Sequence, residues 1–271
     1  MPEHEELLSL GELQDVLYEM LKSFAAFCDG HGLRYYLYGG TLLGAVRHHG
    51  FVPWDDDVDI CMPRPDYDKF KALAEPSPWE FYSVKQYAHP FIKMVDARVA
   101  MEERLFKPSL KRQNAFLDIF PVDGLPETEN ERNRFFRRIN FYKRFLVYSI
   151  VDTKKYVEGK SLKKQITRIL CKLSSLFGYK VFRGMLEKEA SRYSYDNAED
   201  VSVCVWGWGA RGINRKADWE RRVALPFRDS TFWCQENYDE FLRWRYGDYM
   251  QIPPPEKRSH VHGKYYRVKQ R

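Results

Sequence analysis

No apolar run in this chain of 271 residues reaches the length of a membrane span. The opening MPEHEELLSL is acidic and lacks the basic start and apolar core of a signal peptide, so a cytoplasmic protein is expected. Cysteine is sparse and scattered. Cys28, Cys61, Cys171, Cys204 and Cys234 form no C-x-x-C pair and have no histidine at zinc spacing, which excludes a disulfide framework and a zinc cage and leaves reduced, mostly buried thiols. Internal repeats are absent, and no nucleic-acid-binding module is recognisable, so no nucleic-acid partner is expected. What remains is globular: 44% hydrophobic and 16% aromatic residues exclude a disordered chain, and the length permits a sizeable core.

Charge is unevenly spread. Sixteen basic and three acidic residues lie between Arg132 and Lys188, a net +13 against +6 for the whole chain, so the remainder is net acidic. Within this segment, helical patterns cover roughly 129–151 and 161–194, with Phe135, Phe136, Ile139, Ile166, Ile169 and Leu173 on apolar sides. A basic helical insertion over 127–195 is therefore expected, dividing a core of 1–126 and 196–271. Its positive face suits solvent, an acidic glycan or peripheral contact with an anionic membrane at the inner membrane face.

The chain is organised around residues 38–67, YGGTLLGAVRHHGFVPWDDDVDICMPRPDY. The run Arg34–Tyr38 suits a strand, Gly39-Gly40 a tight turn, and Thr41 the start of a short helix. Glycine permits close backbone approach, and the helix N-terminus favours an anion, so Gly39, Gly40 and Thr41 form a candidate phosphate cradle. Asp55–Ile60 then suits a strand on which Asp55, Asp57 and Asp59 point to one side. Carboxylates gathered in this way repel one another, which argues for a hard divalent ion, Mg²⁺ or Mn²⁺ in its place, with phosphates as the remaining ligands. A calcium loop fits poorly: counting from Asp55, Ile60 falls where glycine is needed and Asp66 where a glutamate is needed.

Together, in this order and with the connecting LLGAVRHHGFVPWDDD, these residues resemble the signature of the LicD-type transferases, a family related to the fukutin proteins within the nucleotidyltransferase superfamily. The segment Tyr246–Met250 and the prolines leading to Arg258 resemble the same family. The resemblance implies an α/β (α+β) nucleotidyltransferase-like core, a mixed sheet flanked by helices. It implies transfer of phosphocholine, or a similar phospho-head group, from a CDP-linked donor such as CDP-choline to a hydroxyl of a cell-surface glycan, itself lipid-linked in one version. Asp57 and Asp59 would be catalytic metal ligands with Asp55 assisting. Asp118, a carboxylate among Phe116, Leu117, Ile119 and Phe120 that needs a partner, falls where the superfamily places its third acidic residue.

Other residues read more openly. Arg47 suits either a donor phosphate or the C-terminal end of a helix dipole. Trp206 and Trp208 suit the wall of a choline pocket or the core. Lys93 and Arg98 border the site or lie exposed, and Asp123 reads as a turn residue before Gly124. The rival to an enzyme is an inactive glycan- or membrane-binding relative, which would most simply have lost a motif carboxylate or the glycine turn. Neither is lost.

Overall fold

A computed structural model of the chain describes residues 5–103, 105–258 and 263–268. Residues 1–4 and 259–262 of the terminal stretches read above lie outside them. The first part runs β1 (Glu5–Leu7), α1 (Leu10–Gly30), β2 (Tyr36–Leu37), α2 (Gly39–His48), β3 (Asp59–Pro63) and α3 (Arg64–Leu73). It continues through β4 (Tyr82–Lys85), β5 (Ile92–Glu103), α4 (Pro108–Lys111) and β6 (Arg112–Gly124). Four helices follow: α5 (Glu129–Ile150), α6 (Thr153–Tyr156), α7 (Leu162–Phe177) and α8 (Tyr179–Ala190). The chain then forms β7 (Asp200–Ser202), β8 (Asn214–Arg215), α9 (Lys216–Glu220), β9 (Arg222–Phe227), β10 (Ser230–Gln235), α10 (Tyr238–Tyr246) and β11 (Gly263–Val268).

The result is a mixed α/β fold with a curled sheet flanked by helices. Its strands run β1-β11-β5-β6-β3-β2, with β4 on β5, β7 on β6 and β8 on β7, while β9 and β10 form a separate hairpin. Only β3 and β6 pair in parallel among the described strands, and their register sets Asp59 beside Asp118. The two strands most distant in sequence, β1 and β11, pair with each other and close one side of the sheet onto β5.

Helix α1 follows its apolar period. Ser9 caps it, with Glu12 reaching back to the Ser9 backbone, and Leu13, Leu17, Met20, Leu21 and Phe24 are buried. Phe24 meets Tyr35 and Phe70 at ring separations of 5.4 and 5.1 Å, which fixes the helix against the elements holding the motif. All five cysteines are free and buried, and burial pushes their thiols up.

Several boundaries differ from the sequence expectation. Helix α2 begins at Gly39, not Thr41, because the Leu42 N–H reaches back to the Tyr38 carbonyl at 3.1 Å and draws both glycines into the first turn. The strand begins at Asp59, not Asp55. The residues before it are held by single bonds, such as those from the Asp118 N–H to the Val58 carbonyl and from the Asp55 N–H to the Val52 carbonyl. The helical pattern over 161–194 is split by Gly178, whose φ of 77° ends α7. Asp123 is no turn residue. It is fully buried in β6 and accepts from Arg64 Nε at 2.6 Å. Burial raises its pKa and Arg64 opposes that shift.

Candidate active site

The N-terminus of α2 and the segment entering β3 meet face to face, and glycine makes the meeting feasible. A Cβ on Gly39 would lie 2.5 Å from Asp59 Oδ2, and one on Gly40 would lie 2.5 Å from Asp55 Oδ2. Gly39 also has φ +54°, a conformation that other residues adopt at a cost. The two glycines therefore hold space for two carboxylates. Thr41 is buried, and its Oγ1 accepts from the Asp59 N–H at 2.9 Å, pinning β3 to the helix.

Two cavities open from this junction. The first, about 400 Å³, is lined by Gly40, Arg47, Trp54, Asp55, Asp57 and Asp59, and on the far side by Arg245, Tyr246, Asp248, Tyr249 and Lys257. The second, about 420 Å³, is lined by Asp57, Asp59, Asp118, Lys93 and Glu103 within a wall of Tyr38, His89, Phe91, Phe106, Phe116, Phe120, Trp206 and Trp208. Asp57 and Asp59 belong to both. The alternation read from the sequence survives the loss of the strand, since Asp55, Asp57 and Asp59 share one cavity. Gly39 and Thr41 line neither; they lie behind the carboxylates.

The cations in the two cavities differ in kind. Arg47 donates through Nη1 to the Tyr249 carbonyl at 2.7 Å and through Nε to His48 Nε2 at 3.0 Å, so α2 is tied to the segment after α10. That Nη1 bond also anchors the guanidinium at the cavity wall. Burial and the neighbouring Arg47 lower the His48 pKa, and neither His48 nor His49 lines the two cavities. Arg245 is exposed, with its guanidinium 4.6 Å from the Trp208 ring centroid and 4.9 Å from that of Tyr246. Burial raises the Tyr246 phenol, and Asp59, Asp55 and Asp57 add to the shift, so it stays protonated at the carboxylate edge.

In the second cavity Lys93 is 2% exposed, contrary to the exposed reading. Its ammonium is 2.7 Å from Asp118 Oδ1 and 3.2 Å from the Phe116 ring centroid. The pair faces across adjacent strands, Lys93 on β5 opposite Asp118 on β6. This is the partner that a carboxylate among apolar residues required. Arg98 is bound instead to Asp96, at 2.7 Å. Trp206 packs on Phe91 and His89, with Lys143 Nζ 4.9 Å from its ring, while Trp208 packs on Tyr38 and Phe241. Each tryptophan thus serves the core on one side and a cavity wall on the other.

The donor set offered to a cation is all carboxylate oxygen, the chemistry of a hard divalent ion. Among the described residues no three Asp, Glu, His or Cys side chains converge into a ready-made cage. Mg²⁺ is commonly held through one or two carboxylates with substrate phosphates completing its shell. The residues fit an ion completed by a phosphate-bearing ligand.

A glycine-headed helix set against carboxylates on a parallel strand pair is the arrangement of a nucleotidyltransferase-type catalytic domain, and the family model described as LicD/FKTN/FKRP, nucleotidyltransferase domain, matches residues 32–149. Over 264 residues the chain is 29% identical to the lipopolysaccharide cholinephosphotransferase LicD of Haemophilus influenzae, covering 94% of this chain and 96% of that protein. Residues 32–149 thus form a LicD-type nucleotidyltransferase domain, in a chain similar over nearly its whole length to a phosphotransferase. A shorter match, 46% identical over 44 residues, joins it to the human ribitol 5-phosphate transferase FKRP, over 16% of this chain and 9% of that protein. An uncharacterised protein of Rickettsia typhi is 30% identical over 114 residues, 42% of this chain and 36% of that one.

The sequence reading missed Arg245, Tyr246 and Lys257 as site residues, and of its two readings of Lys93 the structure takes the one at the border of the site. The sequence signal for Lys93 is that of a lone lysine between Ile92 and Met94 in a buried strand. The others lie in the family-like C-terminal segment, whose function no local pattern reveals.

Proposed function

We propose that the protein transfers phosphocholine, or a similar phospho-head group, from a CDP-linked donor to a hydroxyl of a surface glycan and releases CMP, working in the cytoplasm. The observation that carries this reading is that Asp57 and Asp59 line both cavities, one that also presents Arg47, Arg245 and Lys257 and one with aromatic walls. A CDP-linked head group has the same division: a nucleotide with its phosphates on one side, a head group on the other, and the scissile phosphoanhydride between. The cavity that presents Arg47, Arg245 and Lys257 suits the nucleotide phosphates. The aromatic cavity with its carboxylates suits a quaternary ammonium, which is drawn to ring faces and negative charge. Relatedness to a lipopolysaccharide cholinephosphotransferase supports choline, and the shorter match to a ribitol 5-phosphate transferase supports the same phosphate chemistry with another head group.

Asp57 and Asp59 would hold Mg²⁺, or Mn²⁺ in its place, with Asp55 beside them and Asp118 completing the set or accepting the acceptor's proton. When bound, the ion supplies charge neutralisation at the diphosphate. The rest is done by the chain. Arg47 and Arg245 orient the nucleotide side, and Gly40, in the first turn of α2, lines the same cavity. The acceptor oxygen forms a bond to the head group's phosphorus, the bridging P–O bond breaks, and CMP leaves with the electron pair. The acceptor's proton passes to a base or to water. Lys93 fixes the Asp118 carboxylate throughout, by their ion pair.

The test is incubation with Mg²⁺, a glycan acceptor and a panel of donors: CDP-choline, CDP-ribitol and a UDP-sugar. CMP release with the first or second, dependent on acceptor, is the expected result. No CMP from either, in a folded protein with acceptor present, overturns the reading.

A further inference from the structure

Helix α7 presents its apolar residues to solvent. Only Cys171 and Ser174 are buried on it, while Leu162, Ile166, Ile169, Leu173, Leu176 and Phe177 are between 46% and 82% exposed. Their spacing of four, three, four and three residues sets Leu162, Ile166, Ile169, Leu173 and Leu176 on one stripe, turned away from the side that packs on the protein. At 100° per residue Lys163 falls on one flank of this stripe and Lys172 on the other, both exposed. Residues 162–177 contain four basic side chains and no acidic one. At the start of the helix Lys155, Lys163 and Lys164 share one surface depression with Tyr148 and Tyr156.

An apolar stripe of this extent marks an interaction surface. A second copy of the chain is disfavoured as its occupant, because stripe-to-stripe contact would bring lysine rows together with no acidic residue on the helix to answer them. No helix among the described residues is long and apolar enough to cross a membrane. An apolar stripe with lysines along both flanks and at one end is complementary to one surface, a layer of acyl chains beneath anionic headgroups. We propose that α7 lies in the plane of an anionic membrane, its stripe among the upper acyl chains and Lys163 and Lys172, on its two flanks, at the headgroup phosphates. Neither the charge nor the stripe suffices alone: basic residues give attraction without depth, and apolar residues give depth without preference for anionic lipid.

The experiment is co-sedimentation of the full chain with vesicles of phosphatidylcholine alone and of phosphatidylcholine mixed with phosphatidylglycerol, at low and high salt. Wild type should bind the mixed vesicles at low salt at least about tenfold more tightly than the neutral ones, and salt should weaken it. The variant Ile169→Ser/Leu173→Ser/Leu176→Ser should lose binding to both. Lys163→Gln/Lys172→Gln should lose the preference for anionic lipid. Because these side chains are exposed, thermal melting should match wild type; Leu176→Ser alone, at the most exposed position of the stripe, serves if the triple change unfolds the chain. No binding at low salt, equal binding to neutral vesicles, or full binding by a folded stripe variant overturns the proposal. So does a concentration-dependent dimer in sedimentation velocity that the stripe substitutions dissolve, which would assign the face to a second copy.

Discussion

Single side chains decide the chemistry of the cleft, and Lys93 shows how. A lysine 2% exposed, ion-paired to Asp118 at 2.7 Å, holds one carboxylate of the site in place from the neighbouring strand. Removing it leaves a buried charge unanswered, so Lys93→Met should cost on the order of 3 kcal/mol of stability and lower turnover, read by urea denaturation and initial rates; unchanged stability would remove Lys93 as the partner of Asp118. Asp57→Asn and Asp59→Asn behave differently. Each removes a charge from a crowded set, so turnover at saturating Mg²⁺ should fall at least about a hundredfold while the melting temperature holds or rises. Near wild-type turnover in either would end its assignment as a ligand. The acidic run was legible because unmatched carboxylates in a row carry their own demand for a cation. Lys93 was not, because its meaning depends on which residue of β6 stands opposite. Asp123 shows the converse: before a glycine it resembles a turn residue, and only Arg64, far back in the chain, explains its burial.

At the level of elements, α2 is built around what its first two residues lack. A methyl on Gly40 would press on the Asp55 carboxylate at 2.5 Å, so Gly40→Ala should disturb the carboxylate set more than the helix. Calorimetric titration with CDP-choline and Mg²⁺ should show donor affinity reduced by about tenfold or more, with a small change in melting temperature. Unchanged affinity in the folded variant would make the glycines a packing device only. Helix α1 offers a pH test. The Ser9 hydroxyl and backbone N–H, both bonded to the Glu12 carboxylate, hold its pKa below the usual value of 4.5. A folded-state pKa below the unfolded one means the stabilisation is present above pH 4.5 and is lost as pH falls through the folded value. Glu12→Gln should therefore narrow the difference in melting temperature between neutral pH and pH 3, and an unaltered difference would contradict the capping role. Helices α1 and α10 could be read from apolar period and terminating glycines. Strands β1 and β11, and the β9–β10 hairpin, could not, because a short strand is specified by a partner that the local sequence does not contain.

The whole molecule joins a mixed-sheet core to a strongly basic set of helices, and the cleft draws on distant parts of the chain. The α2 and β3 residues meet β6 through a parallel pairing, and the segment after α10 returns to close the first cavity, tied there by the Arg47 bond to Tyr249. This is why the motif at residues 38–67 announces the family while half of the cavity walls come from elsewhere. It also predicts that donor binding and the order of the C-terminal segment are linked: Arg47→Met should weaken donor affinity and raise hydrogen exchange at Tyr249 and Gln251, whose carbonyls it holds, and unchanged exchange there would sever the link. The central claim is that the Asp57 and Asp59 junction moves a phospho-head group from one cavity's ligand to an acceptor. Its most direct test is a single-turnover experiment with CDP-choline labelled in the choline, a glycan acceptor and Mg²⁺, for wild type and Asp57→Asn. Label should appear on the glycan in amounts equal to the CMP formed, and neither product should form with the variant. Label transferred equally well by Asp57→Asn, or CMP formed without label on the acceptor, would contradict it.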